Sequence, residues 1–177
     1  MKHRLHLFDS TLGKFIGSFP AWAKGPMLFL SYLGQPIITI GLSSLVIGVG
    51  YGKGSSTLAM AGIVALGTII LGSLLKLILR RDRPLTEYVE HMFLDTFSFP
   101  SGHAAGTVPT FGLIAYLLWT FHQPWSLPLI ALITVVTFFI GVSRVYLGAH
   151  YASDVVGGWL VGIAGLLVII FIVQPTL

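Results

Sequence analysis

The sequence lacks cysteine and has few charged residues. Without cysteine, the chain has neither a disulfide framework nor a thiolate metal site. Only 9% of its 177 residues are Asp, Glu, Lys or Arg, whereas an average soluble domain has about 25%. So few charges cannot cover the surface of a soluble globule, and an apolar fraction of 55% excludes a disordered chain.

The charges are also unevenly spread along the chain. Four stretches contain no Asp, Glu, Lys or Arg: 25–52, 54–75, 104–143 and 155–177. A helix needs about 20 residues to cross a hydrocarbon layer of about 30 Å. We therefore predict five membrane-spanning helices, at 26–49, 56–79, 102–121, 126–143 and 153–173. The predicted fold class is an all-α polytopic membrane helical bundle, in a single domain over residues 1–177.

The segment before the first span has an amphipathic pattern. Apolar residues recur at spacings of three and four: Leu5, Phe8, Leu12, Phe15, Ile16 and Phe19. The charged residues occupy other positions: Lys2, Arg4, Asp9 and Lys14. This pattern predicts a helix that lies on the membrane surface, since the segment is too short and too charged to cross it.

Alternating spans bring 15 of the 16 charged residues to one side of the membrane and leave Lys53 on the other. The polar side includes the longest polar segment, 80–101, and the turn at 148–152. A net charge of +4 does not indicate a nucleic-acid partner here, because the basic residues form no stripe interleaved with exposed aromatics. We expect the chemistry on the charged side.

One group of candidate residues is basic and ends the second span. Lys76, Arg80 and Arg83 are spaced at i, i+4 and i+7, so a continuous helix would align them on one stripe before Pro84. Crowded cations at a helix end suit an anion between them. The alternative is a basic cuff that anchors the helix among lipid headgroups.

The sequence from Phe99 to His103 precedes the third span. Ser101 is placed to cap that helix, Gly102 permits a close backbone approach, and the first N–H groups of the helix suit an anion. His103 then lies at the mouth of such a site. The alternative is an ordinary cap beside an interfacial histidine.

The last group combines Ser143 and Arg144 with His150 and Asp154. If the fifth helix begins near Ala149, His150 and Asp154 face the same way at i, i+4. The carboxylate then fixes the tautomer of the imidazole and leaves its other nitrogen free as a nucleophile. The alternative is a merely structural pair, although ionisable residues at a lipid boundary favour function.

Together the groups supply fixed cations, a helix N-terminus, a histidine with an orienting carboxylate, and a second histidine. Phosphoryl transfer uses these parts, because its transition state spreads negative charge over three oxygens. Metal catalysis fits less well, and we predict no metal and no cofactor. The remaining acids and histidine of the long loop show no tight ligand spacing: Asp82, Glu87, Glu90, His91 and Asp95.

The same residues resemble the three signature motifs of the type 2 phosphatidic acid phosphatase superfamily. These are Lys76 with Arg83-Pro84 six residues later, the run from Pro100 to His103, and Ser143-Arg144 with His150 and Asp154. The resemblance implies metal-independent hydrolysis through a phosphohistidine, with His150 as nucleophile, Asp154 as its orienting group and His103 as the acid that protonates the leaving group. It implies that the phosphate is held by five residues: Lys76, Arg83, Ser101, Gly102 and Arg144. Arg80 and Arg81 lie outside the motifs, and we expect headgroup attraction or structural contacts from them.

A site at the membrane boundary favours a lipid phosphate over a soluble ester. Small bacterial members of the family suggest undecaprenyl pyrophosphate, phosphatidylglycerophosphate or phosphatidic acid, and the first of these is our leading candidate. The resemblance implies a bacterial inner membrane with the site on the extracytoplasmic face. The motif side nevertheless has nine of the ten Lys and Arg residues, which favours the cytoplasm by the positive-inside tendency. A lipid-binding or lipid-moving protein without turnover is the alternative function, and a purely structural subunit is a third.

Overall fold

The computed structural model describes residues 2–91, 96–120 and 123–173, and all regular structure within these ranges is helical. The helices are α1 (Lys2–Gly17), α2 (Lys24–Leu33), α3 (Pro36–Gly52), α4 (Ser56–Leu79), α5 (Glu87–Glu90), α6 (Gly102–Thr120), α7 (Ser126–Tyr146) and α8 (Ala152–Val173). A short 3-10 turn at Ala21–Ala23 precedes α2. The predicted all-α class is confirmed.

Three of the described helices are long and apolar enough to cross a membrane, namely α4, α7 and α8. The segments Ala21–Leu33 and Pro36–Gly52 form a further candidate as a pair, with a bend of 41° between them. The predicted span 26–49 is thus interrupted, because Pro36 begins α3 and disfavours helical backbone at Gln35, which is extended. The count of five spans stays a prediction.

Helix α6 is the centre of the bundle, in contact with α3, α4, α7 and α8. It coincides with the predicted span 102–121 but carries small and hydroxyl residues where a lipid-facing helix would carry large apolar ones. Its hydroxyls find protein partners, as in the 3.1 Å hydrogen bond between Thr110 and Ser43. Because protein surrounds α6, the helix can be less apolar than its neighbours and still lie within a bilayer.

The glycines of α8 bring its first turns against α6. A Cβ at Gly158 would lie 2.6 Å from the carbonyl oxygen of Ser101, and one at Gly162 would lie 2.6 Å from Val108 Cβ. The two helix starts are also joined directly, since Ser101 N donates to the carbonyl oxygen of Asp154 at 2.9 Å. This close approach sets Asp154 beside the motif that begins α6.

Helix α1 packs on α7 and α8 at this same end of the bundle. Leu12 and Ile16 contact the buried cluster around Val145, while Phe15 is exposed, and the position of this helix on a membrane surface stays a prediction. Asp9 departs from the pattern: the sequence puts it on the polar face, but the residue is only 6% exposed. It is buried because it binds groups at the start of α8.

Candidate active site

The three sequence groups meet at one end of the bundle. Their residues come from the end of α4, the loop after it, the start of α6, the end of α7 and the turn before α8. His103 lies within electrostatic reach of Lys76, Arg83, Arg144 and His150. Lys76 is likewise in reach of Arg83, Arg144 and Asp154. The motif residues therefore surround one small region.

His150 is held in a tight turn between α7 and α8. The backbone N–H groups of Ala149 and His150 both donate to the carbonyl oxygen of Arg144, at 3.0 and 3.2 Å. Gly148 has a φ of +71°, and a Cβ there would lie 2.8 Å from Thr86. Glycine is thus required for both the backbone conformation and the space. The turn leaves the His150 imidazole buried and fixed in direction.

The neighbours of His150 decide which nitrogen carries its proton. Arg83 Nη1 lies 3.3 Å from His150 Nε2. Because a guanidinium can only donate, Nε2 is the acceptor and the proton belongs on Nδ1. Nδ1 faces Asp154 Oδ2 at 3.6 Å, which is longer than a hydrogen bond. This is the tautomer that leaves a lone pair on Nε2.

Burial lowers the pKa of His150 to about 4. Asp154 opposes this shift, and the positive charges of Arg144, Lys76 and Arg83 add to it. The imidazole is therefore neutral at neutral pH, as a nucleophile must be.

Asp154 is fully buried, and both of its carboxylate oxygens have partners. Oδ1 accepts from Arg81 Nη1 at 2.6 Å, while Oδ2 accepts from Tyr151 N at 2.9 Å and from the hydroxyl of Ser98. Helix α8 begins at Ala152 rather than near Ala149 as the sequence suggested. Asp154 still faces His150, because the turn itself brings the ring back over the first turn of the helix.

Lys76 and Arg83 are aimed by backbone carbonyls of the long loop. Lys76 Nζ donates to the carbonyl oxygens of Phe97 and Ser98 at 2.9 and 3.3 Å. Arg83 Nε donates to Thr96 O at 2.6 Å, and its Nη1 donates to Ala149 O at 2.9 Å. The two cations are thereby fixed beside the histidine turn.

The predicted helical stripe of Lys76, Arg80 and Arg83 is wrong. Helix α4 ends at Leu79, and Arg80 has a left-handed φ of 45° that turns the chain out of the helix. Arg80 is exposed and donates back to Leu77 O at 3.0 Å, and Arg83 reaches the site from the loop. Lys76 and Arg83 converge through tertiary folding and not through helical periodicity.

Buried donors without protein partners lie among these cations. Arg144 is 2% exposed and donates through Nη1 to the Ser31 hydroxyl and, at 3.3 Å, to the Tyr88 hydroxyl. Among the described residues, Arg144 Nε and Ser101 Oγ are buried without a hydrogen-bond partner. The prediction that the Ser101 side chain caps α6 is therefore wrong.

Gly102 lies against Lys76, whose Cε would be 3.7 Å from a Cβ at this glycine.

No three His, Asp or Glu side chains in the described part of the chain are close enough to hold one metal ion. Asp95, which belongs to the long loop, lies outside the described residues. The positive charge around His150 comes from the three cationic side chains, Lys76, Arg83 and Arg144.

Several contacts of the site are not indicated by any pattern identified in the sequence. Ser98 binds the carboxylate of Asp154, Ser31 and Tyr88 bind Arg144, and Asp9 binds Arg81 at 2.7 Å. Asp9 carries one signal that could have found it, because it is the only acidic residue before Asp82. The other contacts use common residue types and leave no pattern in the sequence.

Comparison with known proteins identifies a family. The model of the PAP2 superfamily matches residues 56–176. Phosphatidylglycerophosphatase B of Bacillus subtilis is 32% identical over 150 residues, with 80% of this chain and 71% of that protein covered. Undecaprenyl-diphosphatase of Sulfolobus acidocaldarius is 32% identical over 148 residues, with 80% of this chain and 66% of that protein covered.

A solved structure has the same fold. The crystal structure described as the first transmembrane PAP2 type phosphatidylglycerolphosphate phosphatase, from Bacillus subtilis, matches with a TM-score of 0.79 and 24% identity, over 96% of this chain and 86% of that one. The described helices therefore form an integral membrane bundle of this type. The family match includes all three motifs, from Lys76 to Asp154, and extends over more than half of the sequence, so the chain belongs to the PAP2 superfamily.

Proposed function

We propose that the protein hydrolyses a lipid phosphate or pyrophosphate through a phosphohistidine at His150. The observation that carries this proposal is a neutral, buried imidazole among three cations that come from α4, the loop and α7. Buried donors on Arg144 and Ser101 without protein partners add hydrogen-bonding capacity for phosphate oxygens. Such a cluster of like charges is stabilised when an anion lies between them.

The first chemical step is attack of His150 Nε2 on phosphorus. A P–N bond forms, the bond from phosphorus to the leaving oxygen breaks, and a protonated His103 gives one of its two ring protons to that oxygen and becomes neutral. Asp154 stabilises the positive charge that the ring acquires. In this proposal, the charge on the phosphoryl oxygens is neutralised by Lys76, Arg83 and Arg144. The Ser101 hydroxyl and the Gly102 N–H are further hydrogen-bond donors to these oxygens.

The second step uses water. The neutral His103 removes a proton from the water as the water oxygen attacks phosphorus. The P–N bond breaks, its electron pair returns to His150 Nε2, and orthophosphate leaves. No metal is needed in this sequence, because the side-chain cations stabilise the developing charge. Full activity in excess EDTA is therefore expected.

The position of the site supports a lipid substrate. The proposed groups lie at the ends of helices that are apolar enough to span a bilayer, so a lipid can present its phosphate while its chains stay in the membrane. The two relatives described above are named for phosphatidylglycerophosphate and undecaprenyl diphosphate. We propose undecaprenyl pyrophosphate first, and phosphatidylglycerophosphate or phosphatidic acid as alternatives.

Phosphate release in detergent micelles tests the reaction. His150→Ala and His103→Ala are expected to abolish release. His91→Ala is a matched control, because His91 is exposed and lies within hydrogen-bonding distance of Glu87 O in its own turn, at 2.8 Å. The panel of substrates contains undecaprenyl pyrophosphate, phosphatidylglycerophosphate, phosphatidic acid and a soluble phosphate ester. Wild-type protein that binds these lipids without releasing phosphate from any of them would favour the lipid-binding alternative.

We propose a bacterial inner membrane with the site on the extracytoplasmic face, as the family resemblance implies. The absence of cysteine makes single-cysteine labelling direct. Leu85 is fully exposed in the loop of the site, and Lys53 lies at the opposite end of the bundle. An impermeant maleimide should label Leu85→Cys and not Lys53→Cys in intact cells. The reverse pattern would put the site in the cytoplasm.

A further inference from the structure

Asp9 of α1 is linked to Asp154 through a closed polar ring. Arg81 Nη2 donates to Asp9 Oδ2 at 2.7 Å, and Arg81 Nη1 donates to Asp154 Oδ1 at 2.6 Å. Ser153 closes the ring, because its hydroxyl accepts from Arg81 at 2.7 Å and donates to Asp9 at 2.9 Å. The backbone N–H of Ser153 also donates to Asp9 Oδ1 at 2.8 Å. One guanidinium therefore bridges two carboxylates.

The burial of these groups makes the bridge costly to leave incomplete. The Asp154 side chain is 0% exposed and that of Asp9 is 5% exposed. Burial alone would lower the pKa of Arg81, but the hydrogen bond and charge of Asp9, together with those of Asp154, raise it above its ordinary value. Arg81 also lies 4.2 Å over the ring of Tyr151, which limits its movement. The guanidinium is thus charged and fixed in place.

The two carboxylate oxygens of Asp154 contact different groups. Oδ2 faces His150 Nδ1, while Oδ1 accepts a hydrogen bond from Arg81. Arg81 thereby sets the plane of the carboxylate and its distance from the imidazole. A lone cation on Oδ1 would also draw negative charge away from the oxygen that faces His150, and Asp9 offsets that cation.

We propose that Asp9 and Arg81 are positioning residues for the reaction at His150, and that α1 is in this way part of the active site. This inference rests on the proposed function. Among the described residues, the side chains of Asp9 and Arg81 are hydrogen-bonded to each other and to Ser153, and Arg81 also binds Asp154, so both act through Asp154. The expected consequence is a change in kcat with little change in KM, since phosphate binding is left to other side chains.

The charged groups around His150 determine the expected pH response. They are Lys76 of α4, Arg83 of the loop, His103 of α6, Arg144 of α7 and Asp154 of α8, and Tyr88 of α5 is hydrogen-bonded to Arg144. Arg81→Gln removes a cation from the far side of Asp154 and leaves the rest of this set unchanged. The negative charge on Asp154 then favours protonated His150 more strongly. The acidic limb of the pH profile, where activity is lost as His150 becomes protonated, should therefore move to higher pH by about one unit.

The experiment measures kcat, KM and the pH profile for phosphate release from undecaprenyl pyrophosphate and from phosphatidic acid in detergent micelles. Asp9→Asn keeps the shape of the side chain and an acceptor for Ser153 N, and Arg81→Gln removes the bridging cation. Each should lower kcat about tenfold or more while KM changes less than about twofold. Because the two residues act as one unit, the double variant should lose no more than Arg81→Gln alone.

Two further variants separate positioning from general stability. Arg80→Gln makes the same change of charge at the adjacent, exposed residue and should leave kcat unchanged. Arg81→Lys keeps the charge but not the fork that joins two carboxylates, so it should keep the wild-type acidic limb with a reduced kcat. Thermal unfolding of every variant is measured in parallel. If Asp9→Asn does not fold, the inference is tested by Arg81→Gln and Arg81→Lys.

The inference is overturned if Asp9→Asn and Arg81→Gln fold and release phosphate at the wild-type rate. It is also overturned if kcat falls only in proportion to folded protein, with the acidic limb of Arg81→Gln unmoved. Failure of the proposed function has a different outcome, in which His150→Ala is as active as wild type or wild type releases no phosphate.

Discussion

Replacement of Asp154 by Asn tests the orienting carboxylate with the smallest change of shape. The carboxylate oxygen lies 3.6 Å from His150 Nδ1. At an effective dielectric constant of about 20, unit charges at this distance attract by about 4 to 5 kcal/mol, which corresponds to a factor of about 10³ to 10⁴ in rate. This attraction develops only as the ring becomes positive, so Asp154→Asn should lower kcat by that factor with a small change in KM.

The tautomer of His150 gives a second reason for a large effect. An Asn side chain can present its NH₂ to Nδ1, which favours the proton on Nε2 and removes the lone pair that we propose attacks phosphorus. The assay is phosphate release in detergent, together with rapid-quench trapping of the phosphoenzyme. Asp82→Asn is the matched control, because Asp82 is an exposed acid of the adjacent loop. A folded Asp154→Asn protein with more than about one tenth of wild-type kcat would refute the reasoning.

Other expectations follow from the site and from the packing. Because burial lowers the pKa of His150 to about 4 and the attacking ring must be neutral, protonation of His150 should reduce kcat/KM only as the pH drops through about 4; loss of activity on acidification through about 6.5 would contradict this. Dialysis against EDTA should leave phosphate release unchanged, and restoration of lost activity by a divalent metal would count against the proposed charge stabilisation. Gly165→Ala should destabilise the bundle by about 1 to 3 kcal/mol, because the new Cβ would lie 2.2 Å from Thr68 Oγ1. Gly67→Ala, where a Cβ meets nothing within 4 Å, should unfold in detergent at or slightly above the wild-type temperature.

The sequence could predict the helices and the members of the site for two separate reasons. Long uncharged stretches have few alternatives to transmembrane helices, so α4, α7 and α8 fall close to their predicted bounds. The chemistry-bearing residues stand out because charged and histidine side chains are rare in such a chain. The resemblance then groups them, although their catalytic roles stay predictions until variants are measured.

The sequence could not predict where helices stop or which way a charged side chain turns. The end of α4 depends on the left-handed backbone of Arg80, a conformation that arginine rarely adopts and no local pattern indicates. Asp9 illustrates the second point, since amphipathic periodicity assigns a charged residue to the water face. The buried position follows instead from Arg81 and Ser153, which are remote in sequence.

The loop segment 96–98 shows why many contacts of the site correspond to no sequence motif. Its carbonyl oxygens orient Lys76 and Arg83, and the backbone N–H of Ser98 donates to Arg81 O at 2.7 Å. Every residue type offers a carbonyl group, so these carbonyl contacts constrain the path of the backbone and not the residue type, although Arg83 Nη2 also donates to the Thr96 hydroxyl at 2.8 Å. The signature residues supply the charges, while the loop backbone sets their directions. The proposed phosphate site therefore depends on residues that belong to no sequence motif, and sequence similarity alone underestimates how far this site extends.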